Sequence, residues 1–339
     1  MKENLRVGVI GLGRAGEKHA LSYHRMPFVR LAAVCDRDKD KLDRFCRKFG
    51  VKGYDDYRKL LGDDDIDAVS IVMPDDLHLD VTRAAVQTGK HILLEKPIAA
   101  TLEDGKKIYS LVKDRKEVFM VAHILRFSAN HALAKQSIAR GDIGEIVHVS
   151  ARRNSTFEGA MMYKGHHTDT HIHLLVHDAD YLNWVIGSPA VKVFAKSREV
   201  ILKPHGMRDT VLALVEYGNG ALASLEGCWV LPGRSPFELD DRMEIVGTRG
   251  VLYLGGVCQG LSLVTDARVQ DLDTRSWPEG SDGVGGNIYE ELTAFVNCIV
   301  KNEKPLVGAR EALEALFVVD AIDRSIREGA EVTIDYDGL

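Results

Sequence analysis

One short segment limits the folds open to this chain more than any other. An apolar run, Leu5 to Ile10, leads straight into Gly-Leu-Gly-Arg-Ala-Gly at positions 11–16, and a helical pattern follows from Arg14 to His24. Glycines at that spacing, at a strand-to-helix turn, answer three needs at once: a tight turn, close approach of the backbone to a pyrophosphate, and close packing of helix on strand. The start of the helix also offers unpaired amides to phosphate. Gly11, Leu12, Gly13, Arg14, Ala15 and Gly16 are therefore candidate cofactor contacts. A second apolar strand, Val29 to Cys35, completes the unit, and Asp36 ends it about 20 residues on from Gly16. A carboxylate there can accept both ribose hydroxyls of NAD and repels a 2′-phosphate. Arg37 beside it can pair with a 2′-phosphate, so NAD is expected and NADP stays open.

The same alternation continues. Apolar strands are expected at Ala68–Met73, His91–Leu94 and Val118–Val121, with helices between them near Leu79–Thr88 and Leu102–Lys113. These strands lack polar alternation, as strands buried on both faces do. Residues 1–122 thus read as a doubly wound α/β domain with a parallel sheet. From residue 123 to 339 the pattern changes to α+β. Helices are expected at Asn130–Arg140 and Thr170–Ile186, and a strand at Ile146–Arg152. A run of strands then spans Val191 to Val264, one pair joined at Asn219-Gly220, a dipeptide suited to a tight hairpin turn. Two helices close the chain, near Ile288–Lys301 and Ala309–Glu328, and can pack back on the N-terminal domain.

Charge and cysteine content narrow the function. Lys and Arg number 44 against 50 Asp and Glu, a net charge of −6, and no basic stripe for nucleic acid appears. The five cysteines, Cys35, Cys46, Cys228, Cys258 and Cys298, are odd in number and widely spaced, which suggests reduced thiols in a cytoplasmic protein. No leader pattern precedes the first strand and no apolar run reaches membrane-spanning length, so no membrane partner is expected.

Two segments carry candidate chemistry. Glu95-Lys96-Pro97 sits at the carboxyl end of the fourth predicted strand, outside which ligands bind in such sheets. The Lys96 ammonium can hold a substrate hydroxyl and stabilise alkoxide character; a lysine–glutamate pair can equally be structural. The second segment is His-His-Thr-Asp-Thr-His-Ile-His-Leu-Leu-Val-His-Asp-Ala-Asp, positions 166–180. On a regular helix His173, His177 and Asp180 share one face. A histidine there can take a hydroxyl proton while the carbon gives up hydride. The same spacing can bind a metal through His173 and His177, or be a satisfied polar helix. Arg126, Arg152, Tyr163, His166 and Trp229 are further candidates to line a pocket, Trp229 being as suited to sheet packing as to a sugar platform.

Taken in order, the GLGRAG turn, DDLH after Met73-Pro74, GKHILLEKPIA, AHILRF, GDIGEIVHV, HDADYLNWVIG and GAREALEALFVVDAIDRSIREG resemble the Gfo/Idh/MocA family across essentially the whole chain. The resemblance implies a Rossmann domain and a C-terminal domain on a large, open, mostly antiparallel sheet. It implies a homodimer or homotetramer, and NAD(P)-dependent interconversion of a secondary alcohol and a ketone on a sugar, an inositol-like polyol or a nucleotide sugar. It places Lys96 and His177 in the active site as catalytic residues, adds Pro74, His78 and Glu95 to the cofactor region, and supports a cis bond before Pro97. Many members carry an aspartate four residues before that histidine. His173 stands there in this chain, with Asp169 one turn back as a steric substitute, and a metal-dependent reading stays open beside a non-catalytic NAD-binding regulator.

Overall fold

The computed structural model describes residues 4–164, 169, 171–255, 261–265, 269–280 and 283–339, excepting the side chains of His171 and Ile172. Its contacts divide the chain into two units, Met1–Phe127 with Arg275–Leu313, and Ser128–Thr274 with Glu314–Leu339.

The first unit is built on six parallel strands: β1 (Leu5–Ile10), β2 (Val29–Cys35), β3 (Lys52–Tyr54), β4 (Ala68–Ile71), β5 (His91–Glu95) and β6 (Phe119–Ala122). They lie in the order β3-β2-β1-β4-β5-β6, so the direction of winding reverses between β1 and β4. β4 is buried throughout, which is why its sequence, Ala-Val-Ser-Ile, shows no alternation. Helix α1 (Arg14–Arg25) packs on this sheet and against the late helix Gly286–Lys301, whose Ile288, Leu292 and Phe295 join Val7, Val9, Ala20 and Tyr23 in one core.

The second unit carries a seven-stranded sheet. Its strands are β7 (Ile146–Thr156), β8 (Ala190–Arg198), β9 (Thr210–Tyr217), β10 (Leu222–Leu231), β11 (Leu239–Gly247), β12 (Val251–Gly255) and the short Val332–Thr333, in the order β12-β11-β7-β10-β9-β8-(332–333). All neighbours are antiparallel except β7 and β10. That parallel pair was not legible in the strand pattern, because a helix and a hairpin partner intervene between the two strands. One sheet face is covered by the helical stretch around His177: Arg153 on β7 reaches Asp178, and a Cβ at Gly227 on β10 would sit 3.1 Å from Leu175. The other face leaves Phe194, Leu212, Leu214 and Tyr253 exposed around a groove of about 720 Å³. No helix among the described residues is long and apolar enough to cross a membrane.

Candidate active site

In the first unit the three glycines of the turn differ in what a side chain would meet. At Gly11, with φ +96°, a Cβ would lie 2.1 Å from the Val72 carbonyl oxygen; at Gly16 it would lie 1.9 Å from the Gly11 carbonyl. Both positions exclude a side chain by backbone contact. At Gly13 a Cβ would meet nothing within 4 Å, and Gly13 is exposed at the head of α1. The empty side of Gly13 is where a pyrophosphate can reach the α1 amides, so the loop fits a dinucleotide. Leu12 buries its side chain and donates its amide to Asp36 Oδ2 at 2.8 Å; Oδ1 accepts from the Asp38 amide at 2.9 Å. Each oxygen keeps lone-pair capacity for a ribose hydroxyl. Ala15 is half-buried within α1, and Arg37 is exposed. The Arg14 guanidinium lies over the Trp277 ring, 5.4 Å from its centre.

Lys96 leaves the carboxyl end of β5 beside a half-buried acid. The Glu95 carboxylate accepts from the His19 ring at 3.2 Å and from the Lys96 amide at 3.0 Å. Burial alone would raise its pKa, but the bond from His19 and the charge of Lys96 outweigh that and hold it below the usual carboxylate range. His19, fully buried on α1, was invisible as a site residue in the sequence, since a lone histidine on a helix more often reads as core. The Lys96–Pro97 peptide is cis. Pro74 is exposed at the turn after β4, whereas His78 is fully buried and its ring nitrogens face the Pro97 and Met73 carbonyls at 2.9 and 3.0 Å. Burial draws the His78 pKa down. Glu95 and His78 therefore hold the frame of the crevice. Arg126 is also buried, and its guanidinium donates to the Leu306 carbonyl at 3.2 Å.

In the second unit the expected Thr170–Ile186 helix divides. His171–Leu175 forms a π-helical turn and Val176–Ile186 a regular α-helix. The shared face inferred for His173, His177 and Asp180 assumed α-helical spacing throughout; His177 and Asp180 lie within the regular helix, while His173 lies in the wider turn before it. His173 instead joins an aromatic group: its ring centre lies 3.9 Å from that of Tyr163 and 5.4 Å from that of Trp229, and Tyr163 stacks on Trp229 at 5.5 Å and 9°. Trp229 is 1% exposed, so it backs Tyr163 and His173 from below and has almost no free face for a sugar. His177 is half-buried, and Asp180, one turn on, is fully buried.

Three further placements bear on the sequence reading. Arg152 sits on the opposite sheet face from the histidine helix, beside Glu226 at 3.2 Å; its neighbour Arg153 takes the helix-facing side and pairs with Asp178 through two 2.9 Å bonds. Strand alternation permits only one of two adjacent residues to face the helix. Asp169 is engaged elsewhere: its carboxylate accepts from the Arg208 amide and guanidinium, at 3.2 and 2.8 Å, while Arg208 also reaches Asp323 at 2.8 Å. Asp169 thus anchors the histidine turn to Arg208. Arg208 and Asp178 carried no local signal, because their partners are distant in sequence. His166 lies outside the described residues. Among the described residues no three His, Cys, Asp or Glu side chains come together as a metal set, so the metal reading of His173 and His177 gains no support.

Comparison with known proteins agrees with this architecture. A family model described as an oxidoreductase family with an NAD-binding Rossmann fold matches residues 5–123, and its companion, an oxidoreductase family C-terminal alpha/beta domain, matches residues 135–334. The chain is 27% identical over 340 residues to the scyllo-inositol 2-dehydrogenase (NAD(+)) of Bacillus subtilis (strain 168), covering 99% of this chain and 98% of the relative. It is 30% identical over 286 residues to the levoglucosan dehydrogenase of Pseudarthrobacter phenanthrenivorans, covering 73% of each. The crystal structure of scyllo-inositol dehydrogenase from Lactobacillus casei with NAD(H) and scyllo-inositol superposes with a TM-score of 0.84 at 23% identity, over 98% of this chain and 99% of that one, which shows the shared fold. Matched in both of its parts, the chain belongs to the Gfo/Idh/MocA oxidoreductase family, as an NAD(P)-dependent dehydrogenase of the sugar and polyol type.

Proposed function

We propose that the protein reversibly oxidises a secondary hydroxyl of a cyclic polyol or sugar to a ketone, with Lys96 and His177 as the two catalytic residues that meet that hydroxyl. The observation that carries this reading is Lys96 itself. It stands at the carboxyl end of β5, its amide held by Glu95, in a sheet whose glycine turn accepts a dinucleotide. Bound NAD supplies the hydride acceptor, the nicotinamide C4. His177 takes the hydroxyl proton, because an imidazole titrates near neutrality and serves both directions. Lys96 hydrogen-bonds the same oxygen and stabilises its developing charge. Asp180, buried one turn beyond His177, is suited to orient that imidazole. The half-buried rings of Tyr163 and His173, tilted 43° to one another, offer aromatic contact to a sugar. NAD is the expected partner of Asp36, and the inositol and levoglucosan activities named for the relatives make cyclic polyols and anhydrosugars the first substrates to try.

The test is turnover of a panel of inositols, levoglucosan and aldoses with NAD and with NADP. Lys96→Ala and His177→Ala should each lower kcat by roughly 10²–10⁴-fold and leave NADH affinity nearly unchanged. A substrate that His177→Ala oxidises at the wild-type rate would remove His177 from the chemistry.

The outer sheet face supports assembly as a homodimer or homotetramer. Phe194, Leu212 and Leu214 are adjacent across β8 and β9, and an apolar group on an open sheet face is a frequent contact surface. The unpaired thiols of Cys35, Cys46, Cys228 and Cys298 fit a reducing, cytoplasmic setting; Cys258 lies outside the described residues.

A further inference from the structure

We propose that His78 is a positioning residue for Lys96: its ring bridges the Met73 and Pro97 carbonyls and so ties the end of β5 to the turn that follows β4. The inference rests on Lys96 acting on the substrate, as argued above.

The geometry is specific. Nδ1 lies 2.9 Å from the Pro97 carbonyl oxygen and Nε2 lies 3.0 Å from that of Met73. A carbonyl only accepts, so each bond needs an N–H on the ring. A neutral imidazole has one N–H and satisfies one carbonyl; the imidazolium has two and satisfies both. Two acidic groups favour that charge, Asp75 in the turn after β4 and Glu95 on β5, while complete burial opposes it and has the larger effect. The bridge is therefore complete only below the ordinary histidine range, and a single bond remains above it.

What the ring holds is the chemistry-bearing segment. Pro97 is the residue after Lys96, and the Lys96 amide is itself held by Glu95, which is held by His19. Two buried histidines, one from α1 and one at the head of the helix His78–Val86, thus bracket Glu95-Lys96-Pro97 from both ends. Met73 belongs to the same turn as exposed Pro74, beside Val72, whose carbonyl closes over Gly11. His78 therefore couples the place of the lysine to the wall of the glycine turn.

The experiment compares Lys96→Ala, His78→Asn and the double variant, with kcat on the best substrate and NADH affinity by calorimetry. An amide at position 78 cannot span both carbonyls. On the acid side of the ordinary histidine range, where the bridge is complete, His78→Asn should lower kcat by about 10²-fold, the scale of a 1 Å misplacement, and by less at neutral pH, where a single bond remains, with NADH affinity within about threefold of wild type. The double variant should be no slower than Lys96→Ala, since misplacing an absent amine costs nothing. Unchanged kcat in His78→Asn, or additive losses in the double variant, would overturn the proposal and leave Lys96 untouched. Full turnover by Lys96→Ala would overturn the Lys96 reading and this one with it. Should His78→Asn fail to fold, nitrogen-15 NMR of histidine-labelled wild-type protein decides. Both His78 ring nitrogens should carry slowly exchanging protons on acidification, and a ring that keeps one bare nitrogen until unfolding contradicts the bridge.

Discussion

Gly13→Ala separates cofactor binding from folding more cleanly than any other change in the glycine turn. The backbone at Gly13 has φ −66° and ψ −171°, which any L-residue adopts, and the added Cβ meets no protein atom within 4 Å. Alanine is a poorer helix cap than glycine, but it also reduces the freedom of the unfolded chain by about 0.4–1 kcal/mol. The two effects oppose each other, so stability should move by no more than about 1 kcal/mol. Binding should respond quite differently. The methyl group occupies the side from which a pyrophosphate reaches the α1 amides. Loss of one or two charge-assisted hydrogen bonds, at about 2 kcal/mol each, amounts to roughly 2–4 kcal/mol. NADH affinity should then fall by roughly 30- to 1,000-fold. Gly16→Ala is the counterpart: its Cβ would lie 1.9 Å from the Gly11 carbonyl oxygen, so the backbone must give way, at about 1–3 kcal/mol or more of stability. The assay is calorimetric NADH titration beside thermal melts of both variants. Wild-type NADH affinity in Gly13→Ala would refute the reasoning, because the open side of Gly13 would then not be the phosphate's path.

Three other outcomes follow from the structure. Asp178→Asn should lower stability by about 3–5 kcal/mol in urea unfolding, because it leaves the buried Arg153 charge without its paired carboxylate; a midpoint unchanged from wild type would show that the pair is dispensable. Glu95 has a folded pKa below its ordinary 4.5, so the stability it contributes is present above that value and is lost as pH falls through the lower folded one; Glu95→Gln should flatten this acid limb, and an unaltered limb in acid titration would assign it to other groups. Leu214→Glu, on the exposed sheet face, should lower the mass of the homo-oligomer toward a species near 37.5 kDa in light scattering, and a wild-type protein already at that mass would end the assembly argument.

Much of the crevice was legible because its signals are local. A glycine turn needs only the residues on either side of it, and the separate jobs of Gly11, Gly13 and Gly16 emerge from six consecutive positions. Asp36 was legible for the same reason, as the residue at which β2 ends. His78 was legible as a member of the region but not in its role, since its partners are carbonyls 5 and 19 residues away and a backbone acceptor leaves no mark in the sequence. Arg152 was misjudged because adjacent strand residues look alike until a neighbour shows which face is covered.

The chain's local patterning by itself determined the parallel α/β unit, the site of the dinucleotide turn, and the placement of Lys96 at a strand's carboxyl end. Those features depend on periodicity and on backbone conformations that only certain residues permit. Only the tertiary structure decided that Trp229 is a floor beneath Tyr163 and His173, that Arg208 holds Asp169, that a π-helical turn carries His173, and that β7 and β10 run parallel. Each is a contact between segments far apart in the chain, or a backbone departure that such contacts sustain, and burial and pairing of that kind are settled by packing and not by the residues on either side.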